Sequence, residues 1–180
     1  MIRIATLAPL DPTDTLALVK SLRATFGLGT EHLGDLAMPR GGAKDGSWDA
    51  IALLAAAGPV RPVADDKILF IAGAPLTLAP GPLGDPPAWG FANYGGDRAI
   101  ISLDKMPERG VTEASIESWR RRLAREAVHV IGHLWDLHHC YDARCAMHPS
   151  WSPHLGPTPD SSLCTFCREK SERKIRLAKT

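Results

Sequence analysis

The most constraining feature of this chain is where its cysteines and histidines fall. All four cysteines, Cys140, Cys145, Cys164 and Cys167, lie at or beyond position 140 of 180, and six of the seven histidines lie between His129 and His154. Even scattering does not produce such crowding, and thiolates and imidazoles are the side chains that grip metal ions. The C-terminal third is therefore read as the chemical part of the molecule and the remainder as its scaffold.

Within that third the spacing is informative. His129 and His133 are four residues apart in a helical pattern, so both imidazoles leave one face and can hold one ion. His139 follows six residues later, and a chain that reverses after Trp135 brings a third imidazole to the same place. Three histidines leave one tetrahedral position of zinc open, as a catalytic site requires. The bland alternative is a pair of incidental helical histidines. Cys140-x4-Cys145 and Cys164-x2-Cys167 supply four thiolates, enough for a closed structural zinc. Disulfides are the alternative, disfavoured without a secretory signal. His139 and Cys140 are neighbours, and in extended backbone neighbouring side chains point in opposite directions, so one short segment can serve two metals.

Hydrophobic residues at 44% and charged residues at 23% suit one folded domain over 1–180, which rules out a disordered tail, a collagen-like fibre or a coiled coil. A net charge of +1, from 21 basic and 20 acidic residues, gives no field to steer a polyanion, so no nucleic acid is expected as partner. The basic tail from Arg168 reads as a solvated terminal helix. The longest apolar run, 51–57, is far short of the roughly 20 residues of a membrane span, so no membrane association is expected. Met1–Ala5 alternates like a strand rather than opening a signal peptide, which points to the cytoplasm. A monomer is expected.

Along the chain, Ile2 and Ile4 mark a first strand. Asp11-Pro12 opens a helix whose apolar stripe is Leu18, Leu22 and Phe26, and Gly27 ends it. Residues 33–38 suggest a second strand and 39–46 an exposed loop. Ser47 is read as the cap of a helix running to Gly58. Residues 67–71 form a compact apolar run typical of a buried central strand. Residues 73–87, with five prolines, promise no regular structure. Residues 89–94 fit an edge strand, 99–103 another strand, and 112–135 a long helix with Ile116, Trp119, Leu123, Ala127, Ile131 and Leu134 on one stripe. The order predicts an α/β domain, a sheet backed by helices, with a small irregular end piece.

The run Val128-His129-Val130-Ile131-Gly132-His133-Leu134-Trp135-Asp136-Leu137-His138-His139-Cys140, followed by Cys145-Ala146-Met147 and Cys164-Thr165-Phe166-Cys167, resembles the archaemetzincin signature over about a quarter of the chain. The resemblance implies a metzincin-like twisted mixed sheet, a long active-site helix, and a zinc-stapled C-terminal subdomain (140–180) behind an N-terminal one (1–139). It implies two zinc ions per chain: His129, His133 and His139 at the active-site metal, and Cys140, Cys145, Cys164 and Cys167 at the structural one. Met147 then belongs to a Met-turn beneath the first metal, and an extended peptide or protein segment adds to the 89–94 edge strand.

Two positions depart from that family pattern. The residue after the first histidine should be the Glu that takes a proton from the attacking water, and here it is Val130. The turn between His133 and His139 should hold a Gly and holds Asp136, which tolerates positive φ better than most residues. Glu126 lies one turn before Val130, but helical side chains lean toward the N-terminus, so it reads as a supporting or surface residue. His138 sits one residue short of the third-ligand position, which favours His139. No catalytic residue is therefore assigned. The expectation is a zinc metallopeptidase homologue with weak or absent hydrolysis, a pseudoenzyme. The alternatives are a zinc-stabilised module that binds peptides or partners, and a hydrolase of another type using Asp136, His138 or Glu126.

Overall fold

The chain is described here by a computed structural model that places residues 1–57, 65–78, 87–104, 106–149 and 161–178. Strand β1 (Ile2–Thr6) opens the chain as its alternation predicts, and helix α1 (Pro12–Phe26) follows. The Asp11 side chain accepts from Thr13 N–H, Pro12 takes the first helical position, and Gly27 at φ 63° closes the helix, as read from the sequence. Then come β2 (Thr30–Asp35), β3 (Ala43–Lys44), β4 (Ser47–Asp49), helix α2 (Ala50–Ala56), β5 (Lys67–Ala72), β6 (Leu76–Thr77), β7 (Pro87–Ala88), β8 (Gly90–Ala92) and β9 (Arg98–Ser102). Helix α3 (Glu113–Leu134) starts from a reciprocal cap between Thr112 and Ser115, and α4 (Thr165–Leu177) completes the described chain.

Five strands form the main sheet in the order β2-β1-β5-β9-β8, all parallel except β8, which runs antiparallel to β9 at the edge. The central strand β5 is buried on both faces, which explains why its sequence is an unbroken apolar run. Leu69 and Ile71 face one side with Ile2, Ile4, Ala99 and Ile101, under Leu18, Leu22 and Phe26 of α1 and Trp119, Leu123, Ala127 and Ile131 of α3. Ile68, Phe70 and Ala72 face the other side with Ile100, against Leu53 and Leu54 of α2, Trp48 and Leu76. The fold is thus a mixed α/β arrangement with the sheet between two helical layers, and the last third of α3 is buried all round.

Several expectations shift. The second strand begins at Thr30 rather than 33, because its position is set by the ladder in which Ile2 pairs with Thr30, and an outer strand with few buried side chains carries little hydrophobic signal. Strand β3 lies inside the expected 39–46 loop. Ser47 sits in β4 and does not cap α2; the cap is Asp49, whose carboxylate accepts from Ala52 N–H at 2.7 Å. Strands β6 and β7 lie within or at the end of the proline-rich stretch and join β3 and β4 in a second sheet of order β3-β4-β6-β7. The helix stop at Gly58 and residues 79–86 of that stretch lie outside the described residues. Among the described residues, no helix is long and apolar enough to cross a membrane.

Candidate metal centre

Helix α3 ends where the chemistry begins. Asp136 N–H donates to the His133 carbonyl at 2.9 Å and Leu137 N–H to the Gly132 carbonyl at 3.0 Å, with Asp136 at φ 59° between them. This is the Schellman arrangement, built on Asp rather than Gly, and it turns the chain back so that His139 returns to the helix face. Asp136 itself points to Lys174 on α4, 2.7 Å from its ammonium.

The returning chain makes three imidazoles converge. The ligand atoms of His129, His133 and His139 all lie within 4.8 Å of one another, and the His139 ring stands 5.2 Å from that of His129 and 5.1 Å from that of His133. His129 Nδ1 donates to the Ala146 carbonyl at 2.9 Å and His133 Nδ1 to the Leu137 carbonyl at 2.7 Å. A carbonyl can only accept, so each Nδ1 carries the proton and each Nε2 presents a bare lone pair. The two Nε2 atoms stand 3.0 Å apart. No proton bridges them at neutral pH, because burial pushes His129 down to about 3 and His133 down to about 4, each aided by its neighbouring imidazoles. Two facing lone pairs at that separation repel unless a cation lies between them, and the carbonyl behind each ring is the arrangement that orients metal-ligating histidines. The residues present therefore fit a zinc ion.

Met147 is fully buried and its Sδ would be 2.4 Å from a Cβ placed on Gly132, so it lies directly against the helix between His129 and His133. Its carbonyl accepts from Cys140 N–H at 3.0 Å.

Cys140, Cys145, Cys164 and Cys167 form the second cluster, their Sγ atoms also within 4.8 Å of one another. Cys140 and Cys164 are 3.9 Å apart, close to the edge of about 3.8 Å that a tetrahedron with Zn–S bonds of about 2.3 Å has. Burial pushes the Cys145 and Cys167 thiols up, so a cation is what would hold the four together as thiolates.

The remaining sequence candidates separate from these clusters. His138 is 69% exposed and stacks on Tyr94 rather than joining the other imidazoles, and Asp136 is engaged with Lys174. Glu126 is buried, not on the surface, beside Arg125 in the middle of α3. Val130 is 3% exposed and packs toward β8, its Cγ1 3.0 Å from where a Gly90 Cβ would be. Sequence reasoning missed Tyr94, whose half-exposed ring lies 4.6 Å from the His133 ring, while the next amide, Gly95 N–H, donates to the His133 carbonyl at 3.0 Å. No motif marks it; only the return of the edge strand over the helix does. Arg125, discussed below, was missed because one arginine in a helical run carries no signal of its burial.

With this geometry in place, likeness to known proteins can be judged. Residues 87–174 match peptidase family M54. The archaemetzincin of Archaeoglobus fulgidus is 39% identical over 88 residues, a match that covers 49% of this chain and 49% of that protein. The chain thus spans about half the length of the curated relatives it matches. The crystal structure of archaemetzincin from Methanopyrus kandleri superposes with a TM-score of 0.79 at 20% identity, over 97% of this chain and 94% of that one. The A. fulgidus archaemetzincin crystallised with malonate gives 0.73 at 23% identity, over 94% of this chain and 98% of that one. At those identities the superpositions establish the fold. Family match, fold and ligand geometry converge on one stretch: residues 87–174 match peptidase family M54 and carry both clusters of ligand side chains.

Proposed function

We propose that this protein is an archaemetzincin-like zinc metallopeptidase homologue that binds two zinc ions and an extended peptide, and that it hydrolyses peptides weakly or not at all. The reading treats the chain as one catalytic-type domain, with a scaffold over 1–139 and a zinc-stapled end piece over 140–180, working as a cytoplasmic monomer. The observation that carries it is the pair of bare Nε2 atoms 3.0 Å apart, beneath which Met147 is buried. His129, His133 and His139 would hold one zinc; Cys140, Cys145, Cys164 and Cys167 would hold the other.

Bound zinc polarises a peptide carbonyl and makes water more acidic. The chain's own residues supply the rest. Among the described residues the outer edge of β8 has no strand partner, and it would offer backbone donors and acceptors to an extended peptide lying across the His cluster. Ala146 and Leu137 fix the His129 and His133 rings by accepting from their Nδ1–H groups. What is missing among the described residues is a proton acceptor at the position of the family's Glu. Val130 is aliphatic and buried, and Asp136 is tied to Lys174. A general base contributes roughly 10²- to 10⁴-fold, so its absence leaves binding intact and turnover small.

Metal content and a peptide library test this. Two zinc per chain and little cleavage are expected, with Val130→Glu raising cleavage at least 10²-fold. A chain that already cleaves peptides efficiently, and in which Val130→Glu changes nothing, would overturn the impaired-enzyme reading.

A further inference from the structure

Arg125 is among the most buried side chains of the molecule, 2% exposed, on α3 one turn before His129. A guanidinium is costly to bury and tends to stay where it makes bonds that nothing else can make. Its Nη2 donates to the Cys145 carbonyl at 2.8 Å. Cys145 is one of the four clustered thiols, the next residue, Ala146, supplies the carbonyl that receives His129 Nδ1–H, and the one after that is Met147, packed against Gly132. The stretch 145–147 therefore touches both clusters, and Arg125 grips it at the first of its three carbonyls. The other two carbonyls are also used, by His129 and by Cys140 N–H. Burial pulls the guanidinium below the usual arginine range, while the negative charges of Glu126 and of Cys145 as a thiolate pull it back up.

We infer that Arg125 is a positioning residue for the His site: by fixing 145–147 it holds the Ala146 carbonyl in line with His129, so the His site binds metal tightly only when the Cys site and Arg125 are both in place. The inference rests on the two-zinc reading above. Outer partners of metal-ligating histidines of this kind typically govern 10- to 100-fold in metal affinity.

Cobalt(II) separates the two sites, because only a four-thiolate site gives intense near-ultraviolet charge-transfer bands, and its own visible bands lie to longer wavelength of the weak visible band of a three-imidazole site. In Arg125→Met the visible band should need at least tenfold more cobalt to appear, with the thiolate band unchanged, and Arg125→Lys, which keeps a donor and the charge, should recover most of that loss. Should Arg125→Met fail to fold, Arg125→Gln, too short to reach the Cys145 carbonyl, takes its place with the same expectation. Native affinity at the His site in a folded variant overturns the inference. So does an equal weakening of both sites, which marks a packing role. Unmutated protein that binds a single cobalt, at the thiolates, overturns the two-zinc reading and the inference with it.

Discussion

At the scale of single residues, the buried histidines decide how the site meets protons. A histidine whose pKa is depressed by folding is neutral, and so able to ligate, across the whole range between its folded value and the usual value of about 6.5. For His129 and His133 that range reaches down to about 3 and about 4. In the same range the unfolded chain takes up protons that the folded chain refuses, so these two groups contribute stability that is fully present above about 6.5 and is lost as pH falls from there toward about 4 for His133 and about 3 for His129. Metal held by them should therefore survive mild acid. Following the visible cobalt band on lowering the pH, with the thiolate band as internal control, should show the His site still occupied near pH 5.5, where free imidazoles are mostly protonated. Release centred near 6.5 would mean the rings are not held as described. The convergence of three imidazoles and of four thiols was legible from sequence, since a four-residue step on a helix fixes two imidazoles on one face and the neighbouring His139 and Cys140 divide between the two clusters. The shared support of both sites was not, because the bonds of Arg125 and His129 go to backbone carbonyls, which every residue carries alike.

At the scale of elements, the α3 helix illustrates how a site constrains its scaffold. Gly132 lies inside the helix, where Gly usually costs about 1 kcal/mol relative to Ala. A Cβ there would clash with Met147 Sδ and crowd Leu137 Cδ1 at 3.3 Å, and both side chains are completely buried, so they could yield only by displacing packed neighbours. Gly132→Ala should thus destabilise, by about 1–3 kcal/mol as overpacked cores do, despite the gain in helix propensity. Combining it with Met147→Ala should give back part of the loss, and a double-mutant cycle by denaturant unfolding measures the coupling. Additive effects would show that Met147 does not bear on the helix. The same element marks what a sequence discloses. Long, capped, periodic pieces such as α1 and α3, and the apolar run of β5, were readable because many residues repeat one message. Strands of two or three residues, β3, β6 and β7, have no period to read, and the Asp49 cap was masked by Ser47, an equally good capping residue two positions earlier. Those pieces owe their form to pairing partners distant in sequence, as β4 does to β6 through Trp48 and Leu76.

At the scale of the whole molecule, the two ends are stabilised by different forces. Residues 1–134 are organised around β1, β5 and β9, whose Ile2, Ile4, Ile68, Leu69, Ile71 and Ile100 are wholly buried, each contributing about 1.5–3 kcal/mol on burial. Beyond α3, the described chain up to Cys164 forms no helix or strand ladder and is pinned by scattered bonds, among them Ala146 N–H to the Ser162 carbonyl and Cys140 N–H to the Met147 carbonyl. Its buried side chains, Trp135, Leu137, Cys145, Ala146, Met147 and Leu163, join the main core. Those side chains alone leave a gap against the cost of ordering a segment without ladders, at about 1–2 kcal/mol of backbone entropy per residue. A structural zinc typically supplies about 10–16 kcal/mol, enough to close that gap. A strong chelator should therefore release 140–178 without unfolding the sheet. Hydrogen exchange read by mass spectrometry should show α4 and the 140–149 segment losing protection, while β1, β5 and β9 keep theirs, and returning zinc should restore it. If all regions lost protection together, the end piece would be a cooperative part of the main core, and the division near residue 139 would have to be abandoned.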